Sequence, residues 1–554
     1  MKKICFALAM LIGMSNCGKK SNSPQPPVPQ PSNFDIASWA VNGTSSFTEY
    51  FNVSLSPVIR LSFKSNIDRS TVAANIQLKQ ASGTPVSYNV SYERGDSTLL
   101  ISPTSSLENL KRYNIAVATN LKSANGGRLI NAVSIDMLTA IDSTSKFPTI
   151  SDDSLMTLVQ KQTFKYFWDF AHPVSGLARE RNSSGDIVTS GGSGFGIMAI
   201  VAGTSRGFVT RTQALTRIKT IVSFLKNTAQ RFHGAYPHWL NGATGVVVPF
   251  SAKDNGADLV ETSYLIAGLI TAKEYFNGSN ADEMALRDDI TSIVDAVEWN
   301  WFRKGSENVL YWHWSPNFGW DMNLPIRGWN ECLITYVLAA ASKNYSIPKT
   351  VYEQGFAQNG GMKNGTSYYG INLPLGEAFG GPLFFSHYSF LGINPNGLRD
   401  QYADYKQQVV NHSRINHLYA TANPKNQFGY SSLVWGLTAS DIQNGYTASS
   451  PTNDVGVIAP TAALSSMPFT PTESVATMKF FYYVLGDKIW KDYGFVDAFA
   501  LKTPWFADSF LAIDQGPIIV MIENYRSGLI WNLFSSNPDV KAGLLKLGFT
   551  APYL

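Results

Sequence analysis

The chain has 554 residues, 44% of them hydrophobic, which is enough for more than one large core. Only 15% are charged, against about 25% in average proteins, and a net charge of +4 is too small and too dispersed for a nucleic-acid surface. Aromatic residues reach 13%, and this low charge with many Trp, Tyr, Asn and Gly suits a protein that handles neutral sugars, whose C–H faces stack on rings and whose hydroxyls bond amides.

Residues 1–17 read as a targeting segment. Lys2 and Lys3 precede an apolar run from Phe6 to Ile12 that is too short to span a bilayer. Met14-Ser15-Asn16-Cys17 resembles a relaxed bacterial lipobox, which makes Cys17 the expected lipidation site; Met14 and Asn16 depart from its usual residues. Residues 18–33 form a Pro-rich tether. With Cys5 removed and Cys17 lipidated, Cys332 stands alone, so the mature chain has no intramolecular disulfide. The expected location is the cell envelope, anchored by lipid only. Lys19 and Lys20 favour the periplasmic side over the outer-membrane surface.

Residues 34–142 read as a β-sandwich. Alternating runs at 58–63, 76–80, 86–94, 98–103 and 113–119 are separated by turn signals such as Gly83-Thr84-Pro85 and Asn125-Gly126-Gly127. The pattern resembles a bacterial Ig-like domain, and nothing catalytic stands out in it. A spacer role is expected.

From Ser151 the texture becomes helical. The first helix is expected over 155–170, capped by Asp152 or Asp153. Further helical stretches follow at 194–204, 210–228, 254–276, 284–302, 329–342, 402–410, 457–467, 472–486 and 516–534. Amphipathic helices alternate with helices that are apolar or small all round, and the second kind must be buried on every side. This alternation predicts two concentric rings, an (α/α)6 toroid, over residues 148–554. The loops between are long and rich in Trp, Gly and Pro, as functional loops often are.

The chemistry lies in carboxylates at the starts of buried helices. Asp254, Asp258 and Glu261 are spaced four and three apart ahead of an apolar run. Glu331 lies beside Trp329 and Cys332, Asp514 and Gln515 precede Pro517, and Glu523 follows on the same helix. Each also has an ordinary reading as a cap or a satisfied internal acid. The seven His residues form no HExxH or other metal-ligand spacing, and neither a metal nor another cofactor is called for. Acids converging from several helix starts give what a glycosidase needs: one acid to protonate the leaving oxygen and one carboxylate to activate water. Glu331 is expected to be the general acid, because desolvation should raise its pKa. Asp258 or Glu261 would serve as base or position the water, with Asp254 binding substrate. Trp239, Trp312, Trp314 and Trp329 are expected to stack on sugar, with His238, His313, Asp514 and Gln515 as further contacts.

Five motifs, FKYFWDFAHPVSGLARER (164–181), GGSGFGIMAIVAGTSRGFVTRTQAL (191–215), the 254–276 stretch, RGWNECLITYVLAAAS (327–342) and DQGPIIVMIENYRSGLIW (514–531), resemble the bacterial glycoamylase-domain family, whose characterised members in glycoside hydrolase family 144 are endo-β-1,2-glucanases. The resemblance covers about Ser151 to Leu554. It implies an (α/α)6 toroid, a catalytic centre at Asp254, Asp258, Glu261 and Glu331, and β-1,2-glucan or its oligosaccharides as the binding partner of a monomer. The expected reaction is endo-acting and inverting. The alternatives are exo-acting release of sophorose, glucoamylase-like hydrolysis, a polysaccharide lyase and a non-catalytic glycan-binding lipoprotein. The lyase is disfavoured by the acid-dominated inventory.

Overall fold

The computed structural model describes residues 30–45 and 47–554. The signal segment, the Cys17 lipidation site and nearly all of the Pro-rich tether lie outside the described residues. The chain divides into two compact units, 1–139 and 140–554.

The first unit is a sandwich of two sheets. One takes the order β2 (Thr44–Ser45), β1 (Ile36–Val41), β4 (Ile59–Phe63), β7 (Thr98–Pro103), β6 (Tyr88–Glu93). The other runs β3 (Glu49–Val53), β9 (Val133–Thr139), β8 (Arg112–Val117), β5 (Ile76–Gln80), with β3 and β9 parallel. Alternate residues face inward, so Ile59, Leu61, Leu99 and Ile101 from one sheet join Ile76, Ile115, Ile135 and Met137 from the other in one core. Sequence alternation missed β1 and β3, whose exposed faces carry apolar or mixed residues, and also β9, although Ser134 and Asp136 alternate there with buried Val133, Ile135 and Met137.

The second unit is helical. Amphipathic helices α1 (Asp152–Trp168), α3 (Arg211–Asn227), α5 (Ala281–Val294), α7 (Tyr405–Ala422) and α9 (Pro471–Tyr483) alternate with α2 (Ser190–Ser205), α4 (Leu259–Tyr275), α6 (Leu333–Ala341), α8 (Pro460–Ser465) and α10 (Ala512–Arg526). The second set is buried almost throughout, and in α2 every residue from Ser190 to Thr204 is buried. Helix α2 packs on α4 and α10, and α10 packs on α1 and α8. Two C-terminal helices, α11 (Leu529–Ser536) and α12 (Pro538–Leu547), lie on α4 and α6.

Several helix limits differ from those expected. Ser151, not Asp152 or Asp153, caps α1, its side chain accepting from the Ser154 amide. The 284–302 stretch stops at Val294 and resumes as a 3-10 turn at Trp299–Arg303. Helix α7 runs on to Ala422 and ends where Asn423 takes φ 47°. Helix α10 begins at Ala512, so Pro517 falls inside it rather than in its first turn.

Close contact between α2 and α4 depends on glycine. A Cβ on Gly194 would run into the Tyr264 carbonyl, and one on Gly268 into the Gly194 carbonyl. Helix propensity alone favours alanine over glycine by about 1 kcal/mol. Overpacking costs about 1–3 kcal/mol, and here the obstacle is backbone. Gly194→Ala should therefore lower stability in urea or thermal unfolding, and a gain in stability would show that the helices can part without cost.

Candidate active site

The site is built around the start of α4. Asp258 has extended backbone (φ −115°) and caps the helix, its Oδ1 accepting from the amides of Val260 and Glu261 at 3.0 and 2.9 Å. Its other oxygen lies 3.0 Å from His238 Nδ1 and 3.5 Å from His313 Nε2. Strand pairing of Ala257–Asp258 with His313–Trp314 places His313 there. Asp254, in the preceding loop, is 3% exposed, and its Oδ2 lies 3.4 Å from His313 Nε2.

Glu261 sits in the first turn of α4 and reaches the start of α2. Its Oε2 accepts from the Gly191 amide at 2.7 Å and from the Thr189 hydroxyl at 3.1 Å. Glu331 stands just ahead of α6, with its carbonyl held by the Ser389 hydroxyl.

Glu261 and Glu331 face one cleft of about 1130 Å³. Trp239, Phe250, Trp312, Tyr388 and Tyr446 supply aromatic wall, while Glu180 and Arg181 supply charge. His238 lines the cleft and stacks on Phe250 with ring centroids 4.2 Å apart. Asp254, Asp258 and His313 sit behind it rather than on its surface.

Two expected stacking residues are elsewhere. Trp329 is 5% exposed and packs on Phe390 and Tyr405, so it is core. Trp314 packs on His233 and Trp301. Asp514 and Gln515 are each 1% exposed and do not line the cleft. Gln515 donates to the Phe495 carbonyl. Sequence reasoning missed Arg181, Phe250, Tyr388 and Tyr446. Arg181 lay within the first of the five family motifs and Tyr388 within a long aromatic loop, 372–394, of the kind expected to be functional, while Phe250 and Tyr446 carried no local signal.

A second acidic group adjoins the cleft wall. Arg181 bridges Glu180 and Asp441 at 2.9 and 3.1 Å, and the Asp441 amide donates to Asp497 Oδ2 at 2.7 Å. Neither carboxyl oxygen of Asp514 has a donor, nor has Asp497 Oδ1. Burial, then mutual repulsion, pushes Asp514 well above the carboxylate range, and burial moves Asp497 up to about 7. Both carboxyls are thereby pushed toward the protonated form.

Environment also separates the acids at the cleft. Burial pushes Glu331 up to about 7, with the charges of Asp258 and Glu261 adding to it. Burial raises Glu261 too, while the His238 charge and the Gly191 and Thr189 donors oppose the rise. Asp258 feels the same burial, but His238 and His313 overcome it and hold the carboxyl below its usual value. Burial would lower His238, yet the Glu261 and Asp258 charges raise it to about 9. A carboxyl pushed up, as in Glu331, beside a carboxylate held down, as in Asp258, is the usual sign of acids with divided roles.

The comparisons with known proteins bear on this geometry. The family model described as "Putative glucoamylase" matches residues 323–538, and the bacterial Ig-like domain model matches 39–139. An endo-beta-1,2-glucanase from Chitinophaga pinensis, solved with sophorotriose and glucose, is 52% identical over 73% of this chain and 100% of its own, with a TM-score of 0.72. The chain belongs to the glycoamylase-domain family. A beta-1,2-glucanase structure from Parabacteroides distasonis is 35% identical over 93% of this chain and 73% of its own, with a TM-score of 0.71. An exo beta-1,2-glucooligosaccharide sophorohydrolase from the same organism is 44% identical over 420 residues, 72% of this chain. The chain spans 58% of that relative's length. In this glycoamylase-domain protein an Ig-like unit precedes the helical one.

The Glu331 environment has a thermodynamic consequence. Its carboxyl holds its proton more tightly folded than unfolded, so the stabilisation is full below about 4.5 and is lost as pH rises through about 7. Glu331→Gln keeps the neutral shape at every pH. Its melting temperature should therefore gain on that of the parent between about pH 5 and pH 8. A difference that stays constant over that range would place the Glu331 pKa at its ordinary value.

Proposed function

We propose that the protein is a glycoside hydrolase that cleaves β-1,2-glucan, endo-acting and inverting, and releases sophorooligosaccharides. The observation that carries the reading is the pairing, across one aromatic cleft, of a carboxyl held near pH 7 with a carboxylate oriented by two donors on another helix. Glu331 is the general acid. Asp258 is spent on the helix cap and on His238, so the base role falls to Glu261, whose Oε1 is left for a water. Asp254 and His313 act from behind His238 rather than on sugar directly. Acid and base rise from different helices, which suits inversion, where the carboxyls stand roughly 6.5–9.5 Å apart.

The names of the relatives support the substrate. They divide on cleavage mode: the Chitinophaga enzyme, at 52% identity, is endo-acting, and the sophorohydrolase, at 44%, is exo-acting. Release of sophorose from the non-reducing end is therefore the second reading. The alternation of amphipathic and buried helices supports closure into an (α/α)6 toroid, with the turns at 349–356 and 383–391 supplying a further pair. We also propose a lipid anchor at Cys17 and a location in the cell envelope, on the periplasmic side.

Linear β-1,2-glucan should yield reducing ends at neutral pH, with the α-anomer released first and a ladder of oligosaccharides early in the reaction. Sophorose alone from the outset would establish the exo reading, and a β-anomer as first product would end inversion. Glu331→Gln should lose orders of magnitude in kcat while still binding glucan. Near-parental turnover would remove Glu331 as the acid.

The two tryptophan classes should separate cleanly. Trp239→Ala should raise KM and leave the melting temperature nearly unchanged. Trp329→Ala removes a buried ring and should cost about 3–5 kcal/mol of stability. Equal stability losses would place Trp239 in the core.

A further inference from the structure

At the back of the cleft, His238 converges with Asp254 and Asp258 of the stretch leading into α4, with one ligand-type atom from each lying within 4.8 Å of the others. We propose that these three side chains bind a single divalent cation of the zinc or manganese type. The inference does not depend on the glucan reading.

Spacing is the first support. Zinc sits about 2.0–2.2 Å from nitrogen and oxygen ligands, so adjacent ligand atoms stand about 3–3.5 Å apart. His238 Nδ1 lies 3.0 Å from Asp258 Oδ2. His313 Nε2 bounds the cluster, 3.4 Å from Asp254 Oδ2 and 3.5 Å from Asp258 Oδ2. From there its N–H can face the coordinating carboxylates, as an outer partner of metal ligands does.

The second support is an unanswered carboxylate. Asp254 is 3% exposed, and among the described residues its Oδ2 makes no hydrogen bond, with His313 Nε2 standing 3.4 Å away. Burying a carboxylate oxygen without a hydrogen bond is costly, and here a second carboxylate, Asp258, stands beside it. A cation between them would satisfy both charges at once.

The third support is preset orientation. Asp258 is aimed by the two amides it caps, His238 by its stack on Phe250, and His313 by strand pairing with Asp258. Imidazole with carboxylate and no thiolate fits Zn²⁺ or Mn²⁺ better than Ca²⁺, which takes six to eight oxygens. The cation would lie one layer behind the cleft and fix the first turn of α4, which carries Glu261.

The test uses the full chain, stripped with a chelator and titrated separately with ZnCl2 and MnCl2 by calorimetry, with metal counted by mass spectrometry and melting followed in parallel. One cation per chain should bind and raise the melting temperature. Asp254→Asn, which loses no hydrogen bond of the parent, should weaken binding by more than the roughly 10–100-fold of an outer-partner change. His238→Ala should do the same, and Glu331→Gln should bind like the parent. Absence of binding by the stripped parent, or binding unchanged in Asp254→Asn and His238→Ala, would overturn the proposal and show that protons on the histidines satisfy the carboxylates alone.

Discussion

One carboxylate ties the helical unit together. Glu261 grows from the first turn of α4 and accepts the Gly191 amide at the start of α2, so a side chain of α4 caps α2. Only a glycine admits it, because a Cβ at Gly191 would stand 2.6 Å from Glu261 Oε2. Gly194 and Gly268 then let the two backbones touch along their length. The contact that makes the helices pack is thus the contact that sets where a cleft-facing acid points. A change that separates α2 from α4 moves the site as well as the core.

With that geometry fixed, the chemistry follows from how well each buried acid is satisfied. Glu331 is desolvated and gains little compensation, so it keeps its proton near neutrality. Glu261 has two donors on one oxygen, and Asp258 has two amides and two imidazoles. Acids within one cluster are therefore driven in opposite directions by environment alone, Glu331 and Glu261 up and Asp258 down. Arg181 also lines the cleft, where it bridges Glu180 and Asp441, while burial pushes Asp497 and Asp514 above the carboxylate range.

Much of this was legible in the sequence, for physical reasons that also mark where legibility stopped. Spacings of three and four placed Asp254, Asp258 and Glu261 at one helix start, because a helix start is a local event. The small, apolar texture of α2 and α4 showed that they are buried. Aromatic loops were less informative: Trp312 reaches the cleft while Trp314, two residues on, packs on His233 and Trp301, and Trp329 fills core. A ring that stacks on sugar and one that fills a gap leave the same local pattern. The approach of His313 to Asp258 was invisible, since it rests on strand pairing across a separation that no spacing rule reaches. Helix limits failed where a single residue decided them, as at Ser151 and Asn423.

Glu523 supplies the contrast that gives these arguments their force. It is 1% exposed, as buried as Asp514, and lies on the same helix. Arg206 holds it with two nitrogens at 2.7 and 3.0 Å, and Gln160 and Ser527 donate as well. Burial pushes its pKa up, but these donors bring it below the usual value. Every acceptor is answered, so the group is a brace between helices with no capacity left for a ligand or a proton. Asp514 is equally buried with no donor on either oxygen, and Asp254 Oδ2 has no hydrogen bond, only His313 Nε2 at 3.4 Å. Burial alone does not separate a structural acid from a functional one. The count of donors does, because an unanswered buried carboxylate must hold a proton or await a cation, a water or a substrate hydroxyl.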